Sequence, residues 1–136
     1  MRLVSDYISL VVKGLNPNLK ENNDFDFTDN IGSHCQNFFD IDFGEFDITE
    51  GDQWFDIGTP FSLIIYFSYE KDTKTLYYDL VEQAKTLTRS LLLLSNYENT
   101  DITKVVVNSF NIEKLETNHK LLTLTVNGQA TVNESL

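Results

Sequence analysis

Apolar residues recur along this chain with two different periods, and the switches between them mark out its elements. Leu76, Leu80, Ala84, Leu87, Leu91 and Leu94 follow one another at steps of four and three, which gathers them on one face of an α-helix. Asp72, Thr73 and Thr75 supply the short polar side chains that helix starts favour, and the polar run from Asn96 to Thr100 ends the pattern. A shorter helix is predicted over residues 2–13, with Leu3, Tyr7, Leu10 and Val11 on one face. Gly14 stands where a C-terminal cap belongs, and Pro17 follows it.

Elsewhere the period is two. Phe39, Ile41 and Phe43 alternate with Asp40 and Asp42, so a strand there turns its apolar residues to a core and its acids to the opposite face. The alternation resumes at Phe46, Asp47 and Ile48 after Gly44, which suggests a bulge or turn at the glycine. Trp54 to Ile57 reads as another strand or an exposed aromatic tip, closed by Gly58, Thr59 and Pro60. Phe61 to Phe67 is a strand rich in β-branched and aromatic residues, apolar on both faces at its centre. Two more strands follow, Lys104 to Phe110 and Lys120 to Val132, joined by a polar connection from Glu113 to His119. Between Leu15 and Ser33 the composition turns to Asn, Asp and Lys, predicting a long loop or arm with one short extended piece near Phe25 and Phe27. Strands clustered in sequence, instead of alternating with helices, predict an α+β fold: an antiparallel sheet with two helices packed on one face. With 136 residues, 41% of them hydrophobic, and no internal repeat or linker, residues 1–136 read as one domain.

Charge sharpens this picture. From Glu21 to Glu70 there is no Lys or Arg, yet that block holds 12 of the 21 acids, while the other 86 residues hold all 10 basic side chains against nine acids. The net charge of −11 therefore belongs to one region. Such a block cannot neutralise itself with internal ion pairs; it faces water, a cation, a basic partner or something it repels. It also speaks against binding a nucleic-acid backbone, which needs Lys and Arg to displace counterions. The first residues lack a signal-peptide pattern, and nowhere do 18 apolar residues run together, so a soluble protein without a membrane span is expected.

Catalytic chemistry finds little support. Asp24 with Asp26, and Asp40 with Asp42, offer oxygen ligands to a hard cation, but no stretch has the spacing of a calcium loop. A row of exposed acids lacks the contrast of environments that general acid–base catalysis requires. Cys35 cannot form an intrachain disulfide, His34 beside it points to the other face of an extended chain, and one Cys with His34 and His119 cannot complete a structural zinc site. Scattered glycines at 32, 44, 51 and 58 form no phosphate cradle. What remains is surface: Trp54 and Phe55 in an acidic neighbourhood, and the pairs Phe38–Phe39 and Tyr77–Tyr78, exceed the aromatic content that a helix-on-sheet core obviously needs.

The N-terminal helix, the acidic and aromatic strand region, the strand Phe61 to Phe67, the helix Leu76 to Leu94 and the closing hairpin Val105 to Val132 resemble, in that order and acidity, the tail terminator proteins of long-tailed bacteriophages and their neck-region relatives. The resemblance covers most of the chain and rests on element order, length and acidity, without a sequence motif. It implies a structural protein and not an enzyme, with no cofactor. It further implies a homo-oligomer, commonly a six-membered ring, that caps the tail tube and contacts the connector in a virion assembled in the host cytoplasm. DNA would pass through such a ring without specific binding. Asp40, Asp42, Glu45 and Asp47 are the candidate channel-lining or partner-facing acids, and Trp54 and Phe55 the candidate interface aromatics. Two other functions stay open: a small acidic inhibitor that mimics nucleic-acid charge, which requires one continuous exposed surface from Asp24 to Asp56, and a cation-binding domain or metal-dependent enzyme built on the paired aspartates.

Overall fold

The computed structural model describes residues 2–22, 37–69, 73–94, 101–115 and 120–136. They form, in chain order, α1 (Arg2–Leu15), β1 (Lys20–Glu21), β2 (Phe38–Phe43), β3 (Asp47–Glu50), β4 (Trp54–Ser68), α2 (Thr73–Leu92), β5 (Ile102–Lys114) and β6 (Leu121–Ser135). The sheet runs β1-β2-β4-β6-β5, and β3 joins the same edge of β4 that β2 occupies further along. The fold is α+β as the pattern predicts. The sheet is mixed because β1 pairs parallel to β2, while every other pairing is antiparallel.

β4 and β6 are the spine. Their 15 residues pair without interruption from Trp54 opposite Ser135 to Ser68 opposite Leu121. Strict alternation then sorts their side chains. Phe61, Leu63 and Ile65 of β4, with Leu124, Val126, Ala130 and Val132 of β6, turn to the helices and are buried there with Phe39 of β2 and Val105 of β5. From the helices come Val4, Ile8 and Val12 of α1 and Ala84, Leu87 and Leu91 of α2. Burying each of these leucines contributes roughly 2 kcal/mol of transfer free energy. α2 lies over β5 and β6 and beside α1. Ser5 and Ser9 of α1 both donate to the Glu21 carboxylate of β1 at 3.3 Å, which ties α1 to the opposite edge of the sheet.

α2 buries the expected stripe, with Leu80, Ala84, Leu87 and Leu91 fully enclosed and Leu76 and Leu94 partly so. In α1 the stripe is rotated: Val4, Tyr7, Ile8 and Val12 are buried, whereas Leu10 is 60% exposed. The cause is Tyr7, whose hydroxyl donates to the carbonyl oxygens of Leu91 at 2.7 Å and Ser90 at 3.0 Å. Those carbonyls belong to the last turn of α2, where that of Ser90 also accepts from the Leu93 N–H at 3.3 Å, so the phenol helps to close the end of α2 and fixes the rotation of α1. Gly14 is not a cap. α1 continues to Leu15, no described glycine has a positive φ, and the Asn16 N–H still bonds the Val12 carbonyl at 2.9 Å.

Gly58, Thr59 and Pro60 do not close a turn but lie inside β4. In a strand, a residue's nitrogen and carbonyl point to the same neighbour. The Pro60 carbonyl accepts from Gly44 N–H at 2.9 Å, so its nitrogen faces the corner Gly44–Phe46, where β2 has ended and β3 has not begun. No ladder bond is demanded of proline there. Gly44 is required at this corner, since a Cβ on it would lie 2.6 Å from Pro60 Cγ. Lys20–Glu21 forms a short strand that the sequence pattern does not mark; the extended piece expected near Phe25 and Phe27, with Asp24, Asp26, His34, Cys35 and His119, lies outside the described residues.

Candidate assembly surface

Among the described residues, helices cover one face of the sheet only. On the other face the register aligns polar residues in rows. Ser62 Oγ donates to Asn127 Oδ1 at 2.7 Å, and Asn127 Nδ2 to Ser109 Oγ at 3.3 Å, so one chain of hydrogen bonds crosses β4, β6 and β5. Asn133 Nδ2 holds Asp56 Oδ1 at 2.8 Å. Thr123, Thr125 and Thr131 occupy the same side of β6. Only at the far end does this face become apolar, where Tyr66 and Leu121 are buried with Phe38, Ile64 and Leu115 packed against them.

The predicted acids fall along the border of this helix-free face. Asp40 and Asp42 stand opposite Ile64 and Ser62, and Asp47 opposite Gly58, all even positions of one uninterrupted strand, so the three share a side. Glu45 is exposed at the corner between β2 and β3. Asp40 accepts from Asn22 Nδ2 at 3.3 Å and from the Ile41 N–H at 3.0 Å. Partial burial, and then the charge of Asp40, hold the Asp42 carboxyl above the ordinary carboxylate range. Between described residues the one ion pair is Lys85–Glu82 on α2, at 3.0 Å, so none of these acids is neutralised by a described basic group. Among the described residues, no three His, Cys, Asp or Glu side chains come together as a metal-holding group.

Trp54 and Phe55 begin β4 at a hairpin tip. The Trp54 indole lies over Gly51, where a Cβ would come within 2.2 Å of Cε2, and the two aromatics share a cavity of about 400 Å³ with Ile48 and Leu136. The tip is apolar because the strands outreach the helices: 15 strand residues span about 50 Å, whereas the 20 residues of α2 span about 30 Å. Ile48, on the helix side of the sheet opposite Ile57, is therefore 64% exposed instead of buried, and Phe46 beside it 51%. No family model matches the chain, and no curated protein matches it in sequence.

A second feature has no counterpart in the sequence pattern. At the opposite edge, Lys85, Thr88 and Arg89 of α2 and Asn108, Ser109 and Phe110 of β5 line a shallow, open groove of about 490 Å³. The pairing of β5 with β6 shifts between Val107 and Ser109, leaving Asn108 as an extra residue in an edge strand. The only linear signal is Phe110, an aromatic residue at the end of the strand expected from the pattern but inside β5, among polar neighbours that do not mark a core position.

Proposed function

We propose that this chain is a structural, non-catalytic subunit that assembles into a ring in a phage tail or neck, capping the tail tube and contacting the connector. One observation carries the reading: Asp40, Asp42 and Asp47 share the helix-free face of the sheet with a field of Ser, Thr and Asn, and no described base neutralises them. Turned toward the lumen of a ring, commonly six-fold, those acids repel a phosphate backbone, while the exposed bases of the same face, Lys20 opposite Phe38 and Lys104 opposite Thr131, stand at its two outer edges. DNA then passes without sticking. The apolar tip supports the same reading, because a subunit that docks onto neighbours needs contact area outside its own core.

The test is to change Asp40 and Asp42 together to Lys and to image the assembled particle. With folding checked by circular dichroism, the variant still assembles but retards DNA passage and lowers infectivity. Unchanged infectivity overturns the channel-lining role. A wild-type chain that stays monomeric and instead forms a one-to-one complex with a nuclease supports charge mimicry in place of assembly.

A further inference from the structure

The two edges of the sheet differ in both charge and shape. On one side, β3 and its leading corner project Phe46 and Ile48 into solvent, and the acids around them are Glu45, Asp47, Glu50 and Asp52, with no base among them. All four residues of β3 are exposed, and among the described residues it pairs with β4 alone. On the other side, the groove between α2 and β5 carries Lys85 and Arg89 beside a 40% exposed Phe110. One edge is thus an apolar knob in an acidic collar, the other an apolar-floored groove with a basic rim. Because β3 and β5 flank opposite sides of the β4–β6 pair, one molecule presents them in opposite directions.

We propose that the Phe46–Ile48 knob of one copy seats in the Lys85–Arg89–Phe110 groove of the next, so that the occupant of each groove is a second copy of this chain. The contact joins different surfaces of identical subunits, a heterologous interface that closes into a ring when the rotation per copy allows. It rests on the ring-forming reading above and adds to it which surfaces meet. Charge complementarity selects the partner. A like-charged approach of knob to knob or groove to groove is repelled, whereas the head-to-tail approach pairs acids with Arg89 and Lys85 around a dehydrated aromatic contact. Full strand addition is not part of the contact, because the extra residue at Asn108 interrupts the free edge of β5. Side chains carry it.

The test uses the full chain across its soluble concentration range, followed by native mass spectrometry and sedimentation. Lys85→Glu with Arg89→Glu, and separately Glu45→Lys with Asp47→Lys, weaken assembly by roughly tenfold or more. All four changes in one chain swap the two rims and restore it. Circular dichroism and thermal melting establish that each variant is folded, as expected for exposed positions. In a Cys35→Ser background, Asp47→Cys with Asn108→Cys on one chain gives a disulfide ladder beyond dimers under oxidation, while either change alone gives none. Rings that form with unchanged concentration dependence in both charge variants overturn this interface and leave the ring reading standing. Cross-linking that stops at dimers overturns the head-to-tail arrangement. A chain that remains monomeric throughout and yields no ladder overturns the interface and the ring together.

Discussion

Replacing Gly128 with alanine tests the packing of the sheet with a single methyl group. Gly128 sits in β6 between Phe61 of β4 and Val107 of β5. A Cβ there would lie 2.2 Å from the Val106 carbonyl oxygen and 2.7 and 2.9 Å from Cζ and Cε1 of the Phe61 ring. The ring is 2% exposed and hemmed in by the core, and the carbonyl moves only with the β5 backbone. Overpacking a core by a methyl group costs about 1–3 kcal/mol, and a clash with backbone places Gly128→Ala near 3. The narrower unfolded ensemble of alanine returns about 0.7 kcal/mol. A net loss of about 2 kcal/mol follows, or a fall in Tm of about 8 °C in a domain of this size. Urea unfolding followed by circular dichroism measures it, with an unchanged m value as the check that the same transition is observed. A loss below about 0.5 kcal/mol would refute the close approach. Phe61→Leu in the Gly128→Ala background separates the two contacts. The double variant should be less destabilised than the sum of the singles by about 1 kcal/mol, and strict additivity would show that the ring was never the obstacle.

Tyr7→Phe removes the donor that closes the last turn of α2 and should cost about 1–2 kcal/mol without changing helix content, a loss read by the same unfolding curves; no loss would show that those carbonyls are satisfied by water. Asp42 has its carboxyl pKa raised above the ordinary 3.8 by burial and by Asp40, so the native state holds that proton more tightly than the unfolded chain. Its contribution is complete below the unfolded-state pKa and is lost as pH rises through the window up to the folded one. Asp42→Asn should therefore flatten the stability profile in that acidic window and leave neutral-pH stability equal or higher by up to about 0.5 kcal/mol; a steeper profile would contradict the raised pKa. Adding NaCl to about 0.5 M should raise the Tm of the wild-type chain by screening repulsion among its acids, and a flat response would mean that they are already compensated.

How much of this was legible in the sequence depended on how local the deciding interaction was. α2 was readable residue by residue because one face is apolar and the others are polar, so only one rotation buries the stripe from Leu80 to Leu91. α1 is apolar on more than one face. Its rotation is set by Tyr7 reaching Leu91, 84 positions away, and no periodicity carries that information. Gly58, Thr59 and Pro60 carry every local mark of a turn. They lie in β4 because pairing with β6 runs straight through them and because Gly44 opens a gap opposite the proline nitrogen. Asp40 and Asp42 were assignable to one side because alternation is a local property, whereas Asp47, an odd number of residues away and beyond Gly44, joins that side only through the pairing of β3 with β4. The alternation also assigned Ile48 to the core, correctly for its side of the sheet and wrongly for its burial, since the pattern does not say where the helix layer stops. The Arg89 groove joins α2 to a bulge in β5, and neither segment announces the other.

The placement of charge follows from the overhang. A sheet that outreaches its helices leaves Ile48 exposed on the short edge strand β3, with Phe46 just before it and Trp54 at the hairpin tip beyond it, the arrangement that invites uncontrolled edge-to-edge association. Moving the apolar residues inward is not available, because there is no helix above them to pack against. Surrounding them with Glu45, Asp47, Glu50 and Asp52 keeps the tip soluble by like-charge repulsion while leaving it adhesive to a basic surface. Had the block contained its own lysines, it would have neutralised itself and lost that selectivity. The absence of any Lys or Arg between Glu21 and Glu70 is therefore the condition under which an exposed aromatic edge can wait, unaggregated, for one kind of partner.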